Sequence, residues 1–365
     1  MKITTLEVGG YEKVVRADDP RSGLKAFIAV HDTTLGPALG GMRIWPYATE
    51  KEAQTDVLRL AAGMTYKSAV AETGLGGGKS VIMADPRTQK TPTLLRAMGR
   101  FINELGGLYI TAEDVGSSTD DMLVVAEETK WVTGLPRDRG GSGDPSPFTA
   151  LGVFIGLKAA LETVTRSDNF AGKTVAVQGL GHVGYWLCKH LSEAGARLYV
   201  ADVRPERVER AKKEFAAIAV QTEEIYDAPC DIFAPCALGA ILNDQTLPRL
   251  RCRIVGGAAN NQLQEERHSE LLQGRGILYA PDYVINAGGI INVGLELAPG
   301  GYDESESLAR VRKIGPVLKE VFAIASASKI STDKAAKEIA LRKLRDGRQR
   351  RLAARDKATP QPRAN

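Results

Sequence analysis

The chain contains no CxxC pair, no HExxH and no histidine cluster at metal-ligand spacing. Its four cysteines (Cys188, Cys230, Cys236, Cys252) and four histidines (His31, His182, His190, His268) are scattered. That excludes a disulfide framework and a zinc site as readings, and no metal is expected. The opening stretch, MKITTLEVGGYEKV, has no apolar core of the kind a secretory signal needs. No uninterrupted apolar run approaches the roughly 18 residues of a membrane span. A net charge of +4 is too small to argue for nucleic acid. The expectation is a cytoplasmic protein in reducing surroundings, with no membrane and no nucleic-acid partner. The charge is unevenly spread, however. From Asp333 to the end there are 11 Lys/Arg and 4 Asp/Glu, so this tail carries +7 and the remainder −3. Such a run reads as a solvated helical face with a frayed end.

What is present suits two globular domains. The 365 residues allow two, and 43% hydrophobic with 25% charged content is ordinary for a folded soluble chain. The stretch Met64 to Asp85, MTYKSAVAETGLGGGKSVIMAD, carries Lys67 and Lys79, with Gly74, Gly76, Gly77 and Gly78 just before the second lysine. It reads as a glycine-rich turn delivering Lys79 onto the start of a buried strand at 80–84. Burial and a neighbouring ammonium both lower a lysine pKa, which makes the group usable in acid–base chemistry. The alternative is a surface turn with a solvated lysine. A phosphate cradle of the P-loop kind is rejected, because it requires glycine where Thr73 stands and a helix after the lysine.

The first region alternates strands and helices. Strands are expected at 2–8 and 24–31, and a helix from Thr49 to Lys67, capped by Thr49 with Glu50 and Glu52 in its first turn. A helix over 91–105, a strand from Leu108 leading into Ala112-Glu113-Asp114, and a helix capped by Ser117 or Ser118 follow. The segment Gly36 to Tyr47 has glycines at 36, 40 and 41, which permit close approach to bare backbone. Residues 134–147, GLPRDRGGSGDPSP, read as a hinge, and Ser146-Pro147 as the start of a helix.

The second region has a sharper signature. The strand Lys173 to Gln178 runs into Gly179-Leu-Gly181-His182-Val183-Gly184, then a helix over 185–194 and a strand ending at Asp202. Strand, GxGxxG, helix, strand and a final acid mark a dinucleotide-binding unit. Its helix N-terminus faces the pyrophosphate. Asp202 would accept hydrogen bonds from a ribose diol and repel a 2′-phosphate, which favours NAD, although Arg204 is a nearby cation that could host that phosphate. Short strands at 231–234, 253–256 and 276–280 end in loops at Cys236-Ala237, Gly257 to Asn261 and Asn286 to Gly289, which should line the cofactor side of the sheet. A long helix is expected from near Ile290. The predicted architecture is α/β in two domains: a mixed substrate domain at 1–134, with C-terminal helices of about 330–365 packing back on it, and a Rossmann domain at 135–329, with a cleft between.

The motifs GPALGG, GMTYK, GGGKSVI, TAEDVG, GDPSP, GLGHVG, GAANNQL and YVINAGG together resemble the amino acid dehydrogenases of the glutamate/leucine/phenylalanine/valine type, and within them the leucine branch. The resemblance covers His31 to about Asn292. It implies reversible oxidative deamination of an L-amino acid to a 2-oxo acid and ammonium by a homo-oligomer, octameric or dimeric. It also implies roles. Lys67, beside Gly40, Gly41 and Met64, would bind the substrate carboxylate. Lys79 would act at the reacting carbon, and Asp114 would exchange protons with ammonia. Asn260 and Asn261 would touch nicotinamide ribose and substrate, and Thr149, Cys236, Ala237 and the GLGHVG loop would hold the cofactor. Leu39, Ala112, Ile290 and Val293 would line the side-chain pocket. All four are apolar, which disfavours a charged glutamate side chain. A branched aliphatic substrate is expected, with an aromatic one as the alternative. Met42, His182, Ile290 and Gly257 depart from the commoner family residues, and the basic tail has no family role. A non-catalytic sensor on the same fold is the rival reading. A sensor would not need Lys67, Lys79 and Asp114 together.

Overall fold

Two six-stranded sheets, built from different residue patterns, carry the chain. The computed structural model describes residues 1–358, with side chains to residue 353. The first sheet contains β1 (Lys2–Thr5), β2 (Lys13–Asp19), β3 (Leu24–Asp32), β4 (Ala38–Trp45), β5 (Gly76–Met83) and β6 (Tyr109–Glu113). Its order is β1-β2-β3-β5-β4-β6. The strands β1, β2, β3 and β5 pair antiparallel, whereas β4 lies parallel between β5 and β6. Helices α1 (Glu50–Val70), α2 (Pro92–Asn103) and α3 (Thr119–Ala126) cover it. Val15, Ile28, Met42, Ile82, Leu94 and Phe101 share one core cluster, and Phe27, Val57 and Val81 another. The cap of α1 is Thr49, as read from the sequence, and Ser118 caps α3 through a capping box with Asp121.

The second sheet is parallel throughout. It contains β7 (Thr174–Gln178), β8 (Arg197–Ala201), β9 (Ile218–Ala219), β10 (Ile232–Pro235), β11 (Ile254–Val255) and β12 (Leu278–Tyr279), in the order β12-β11-β10-β7-β8-β9. This is the doubly wound order of a dinucleotide-binding sheet, with the first strand central and the chain reversing direction beside it. The associated helices are α4 (Ser146–Thr165), α5 (His182–Glu193), α6 (Pro205–Phe215), α7 (Arg267–Gly274), α8 (Asp282–Ile285), α9 (Gly288–Gly294), α10 (Glu304–Val311), α11 (Ile314–Ser328) and α12 (Thr332–Ala358). Among the described residues α4 alone is long and apolar enough to cross a bilayer. Its Val153, Leu157 and Leu161 are core residues, and it packs against α5 and α11.

The chain divides into two compact units: Met1–Gly143 with Val293–Tyr302 and Ile339–Asn365, and Asp144–Asn292 with Asp303–Glu338. The division at Gly143/Asp144 falls inside the glycine-rich segment rather than at 134/135. Glu296 explains why that segment stays with the first unit. Its carboxylate accepts from the Gly134 amide (3.0 Å) and the Ser142 amide (2.8 Å), anchoring the loop. The C-terminal return begins at Ile339, within α12, rather than near 330.

Three further readings change. The glycines at 76–78 are not a turn but the first residues of β5. The helix expected to run on from Ile290 is the short α9, followed by a single 3₁₀ turn at Leu295–Leu297. The basic tail is not only a solvated face. Lys343 donates to the Val70 carbonyl and pairs with Glu72, Arg348 pairs with Asp32 at 2.6 Å, and Arg351 donates to the Thr33 carbonyl. These contacts tie α12 to the ends of α1 and β3. Residues past 358 lie outside the described residues.

Candidate active site

Lys79 is the fourth residue of β5 and is only 5% exposed. Its Nζ lies 3.0 Å from Asp114 Oδ2. Asp114 sits just past the end of β6, where the Ser117 hydroxyl accepts from its amide and donates to the Met42 carbonyl. The turn after β6 is thereby fastened to β4, which lies between the two side chains. Gly41 makes the encounter possible. A Cβ there would stand 2.7 Å from Asp114 Cβ and 3.2 Å from Lys79 Nζ. The three preceding glycines serve packing in the same way. A Cβ on Gly77 would lie 2.0 Å from the Thr65 amide of α1, and one on Gly78 would lie 2.8 Å from the Tyr109 ring.

Burial pushes the Lys79 ammonium down, and Arg43 adds to the effect, while Asp114 opposes it. Burial alone would raise Asp114, but Lys79 and Arg43 hold its carboxyl below the usual range. The result is a buried pair of opposite charge whose lysine loses its proton more readily than a solvated one. Arg43 was not read from the sequence as a site residue. Its Nε donates to Asp114 Oδ2 at 3.2 Å, and its Nη1 donates to Asp56 Oδ2 at 2.9 Å. The Tyr47 hydroxyl donates to the same Asp56 oxygen. One signal for Arg43 was available: it is a charged residue inside the otherwise apolar run Met42 to Trp45.

Lys67 lies in the last turn of α1, with Met64 one turn earlier and half-buried. Gly40 and Gly41 are interior residues of β4, and the Gly40 carbonyl accepts from the buried Tyr109 hydroxyl at 2.6 Å. Leu39 and Ala112 are buried, as are Val293 in the same unit and Ile290 in the other.

The second unit presents the nucleotide features. Gly179 adopts φ +94, and a Cβ there would press to 2.7 Å from that of Ala237. Gly184 would strike the Gly179 carbonyl at 2.0 Å, so its bare backbone lets α5 close on β7. Gly181 differs: the nearest atom to its Cβ position is Arg207 Nη1, at 3.8 Å. Open space above the middle glycine, at the N-terminus of α5 where His182 and Val183 begin the helix, is what a pyrophosphate requires. Asp202 follows β8. Its Oδ2 accepts from the Leu180 amide at 2.6 Å and lies 3.5 Å from Arg207, while Oδ1 accepts from the Arg204 amide. The carboxylate therefore grips the glycine loop itself. Cys236 continues from β10, its amide donating to the Gln178 carbonyl. Thr149, on the first turn of α4, donates to the Pro145 carbonyl and closes on Gly289. Asn260 accepts from Asn286 Nδ2 at 2.8 Å, and Asn261 adopts φ +51 and accepts from the Ala240 amide. No group of three or more His, Cys, Asp or Glu side chains that could hold a metal occurs among the described residues.

A sheet of the dinucleotide-binding order in a chain with a buried lysine–aspartate pair points to the dehydrogenase class. Residues 11–131 match the family profile "Glu/Leu/Phe/Val dehydrogenase, dimerisation domain", and residues 140–204 and 198–351 match "Glutamate/Leucine/Phenylalanine/Valine dehydrogenase". The chain is 54% identical over 335 residues to leucine dehydrogenase of Thermoactinomyces intermedius, covering 92% of this chain and 91% of that one. Among solved structures it resembles L-tryptophan dehydrogenase from Nostoc punctiforme (47% identity, TM-score 0.79, 93% and 97% of the two chains covered). It also resembles a hetero-hexameric glutamate dehydrogenase from Thermus thermophilus (25% identity, TM-score 0.78, 93% and 90% covered). The chain belongs to the Glu/Leu/Phe/Val dehydrogenase family and is an amino acid dehydrogenase.

Proposed function

We propose that the chain catalyses the reversible NAD-dependent oxidative deamination of a branched-chain aliphatic L-amino acid, leucine-like, to the 2-oxo acid and ammonium. The observation that carries the chemistry is the buried Lys79–Asp114 pair at 3.0 Å. Lys67 pairs with the substrate carboxylate, supported by the backbone of Gly40 and Gly41 and by Met64. Asp114 takes a proton from the substrate ammonium. NAD, held by the glycine loop 179–184 and Asp202, would supply the acceptor for the hydride that leaves the α-carbon. Lys79, in its neutral form, removes a proton from the water that attacks the resulting iminium carbon; Asp114 returns its proton to the nitrogen, the C–N bond breaks as the hydroxyl proton leaves with the ammonia as ammonium, and Lys79 releases its proton to solvent. The lowered pKa of Lys79 suits this use. Turnover should therefore rise from neutral pH into the alkaline range as Lys79 loses its proton, below the point at which a solvated lysine would.

The glycine loop 179–184 is the reading for the pyrophosphate, with Asp202 for the adenosine ribose. Thr149, Cys236, Ala237 and Asn260 are assigned to the cofactor, and Asn261 to the substrate. Leu39, Ala112, Ile290 and Val293 are assigned to the substrate side chain. All four are apolar and buried, which supports an uncharged substrate, since an unpaired carboxylate among them would cost several kcal/mol. The leucine enzyme at 54% identity supports an aliphatic choice over the aromatic alternative offered by the tryptophan enzyme at 47%. The working form is proposed to be a homo-oligomer, an octamer, with light scattering on a sizing column as its check. The test of the reaction is NAD reduction across L-leucine, isoleucine, valine, phenylalanine, tryptophan and glutamate. The highest kcat/KM is expected for an aliphatic residue and the lowest for glutamate. A glutamate optimum, or no turnover with any of the six, would overturn the reading.

A further inference from the structure

Arg43 stands where the chemistry assigned so far makes no use of it. It projects from β4 between two acids on different elements, Asp114 after β6 and Asp56 on α1. Its side chain is 18% exposed, so the ion pairs are only partly screened. Arg43 and Lys79 both bind the same oxygen, Asp114 Oδ2, at 3.2 and 3.0 Å. That arrangement fixes the carboxylate plane and leaves the Oδ1 edge outside both contacts. At its other end Arg43 shares Asp56 Oδ2 with the Tyr47 hydroxyl, whose own ionisation is pushed up by burial and by Asp56. The result is a row of charges running Lys79, Asp114, Arg43, Asp56, closed by a neutral phenol.

We propose that Arg43, braced by Asp56 and Tyr47, is a positioning residue for the deamination proposed above. It holds Asp114 Oδ2 against Lys79 so that Oδ1 faces the reacting nitrogen, and it places its own charge and that of Asp56 beside the pair. The inference rests on the reading of Lys79 and Asp114 as the acid–base pair.

The groups acting on Lys79 come from each element around it. Arg43 comes from β4, Asp114 from the end of β6 and Asp56 from α1, while β3 places the uncharged Ala29 opposite. Tyr109 on β6 is buried, and its phenol is pushed up by burial and by Asp114, so it stays neutral beside the pair. Arg43 lowers the lysine and Asp56 raises it, so removing each charge has an opposite sign.

The test compares Arg43→Gln, Arg43→Lys and Asp56→Asn by the pH dependence of kcat/KM for L-leucine with NAD. Arg43→Gln should move the lysine-controlled limb to higher pH, on the order of one unit, and Asp56→Asn should move it lower. Arg43→Lys keeps the charge and should leave the limb near that of the parent protein, while kcat falls because one amine cannot span both acids. A generally loosened fold would lower activity without producing shifts of opposite sign. Competitive acetylation of Lys79 across the same pH range, read on its peptide by mass spectrometry, reports the lysine without turnover. Opposite shifts in that assay, with no activity on any amino acid, would separate failure of the reaction reading from failure of the Arg43 role. Shifts of one sign in both neutral variants, or none, would overturn the proposal. If Arg43→Gln does not fold, the downward shift in Asp56→Asn carries the test alone.

Discussion

The two glycine clusters of this chain look alike in sequence and do different physical work. Gly76, Gly77 and Gly78 lie inside a strand, and side chains at Gly77 and Gly78 would collide with a helix backbone and a tyrosine ring. There, glycine is an absence of volume that lets α1 and β6 close on β5. Gly179 and Gly181 form a turn, where Gly179 needs its positive φ and Gly181 faces open space, and Gly184 follows in the first turn of α5. In the first unit glycine makes room for protein. In the second it makes room for a ligand. Gly41 falls between the two uses, because what it clears is the meeting of Lys79 with Asp114.

Substitutions can break this comparison. The largest expected effect is that of Lys79→Ala, which removes what the glycines serve. It should lower kcat by about 10²–10⁴-fold with the fold intact; near-normal turnover would take Lys79 out of the chemistry. Gly77→Ala should come next, as a loss of stability. The nearest atom is the Thr65 backbone nitrogen at 2.0 Å, which cannot rotate away, so about 1–3 kcal/mol is expected in a urea titration. Gly181→Ala should do the converse. Its backbone already has a φ of −64, so stability should stay within about 0.5 kcal/mol, while KM for NAD rises roughly tenfold. A large stability loss here with KM unchanged would erase the distinction between the clusters. Asp202→Ala should be the mildest. The preference for NAD over NADP should shrink severalfold, as the repelling charge goes and Arg207 is released. An unchanged ratio would argue against the ribose assignment.

The second unit was the more legible in sequence, for a physical reason. A nucleotide loop is local: strand, three glycines, helix and acid are consecutive, so spacing alone carries the geometry. The first unit brings together residues from four separate elements. Lys67, Lys79 and Asp114 are marked by the motifs around them, but the strand that holds Gly76 to Gly78 reads in sequence as a turn, because glycine more often marks turns than buried strands. Strand β2 was missed as well, since KVVRADD breaks its alternation with charges at both ends. Arg43 escaped because its partners, Asp56 and Asp114, are distant in sequence and only the parallel pairing of β4 with β6 brings one of them near. The tail's contacts with Asp32, Thr33 and Glu72 were hidden for the same reason.

The central claim is that Lys79 and Asp114 act as one acid–base unit in the space that Gly41 clears. A double-mutant cycle of Lys79→Ala and Asp114→Asn, followed by kcat with L-leucine and NAD, tests it most directly. If the two act together, the double variant should be no slower than the worse single variant. Losses that multiply in the double variant would mean that the residues work independently, and would contradict the account.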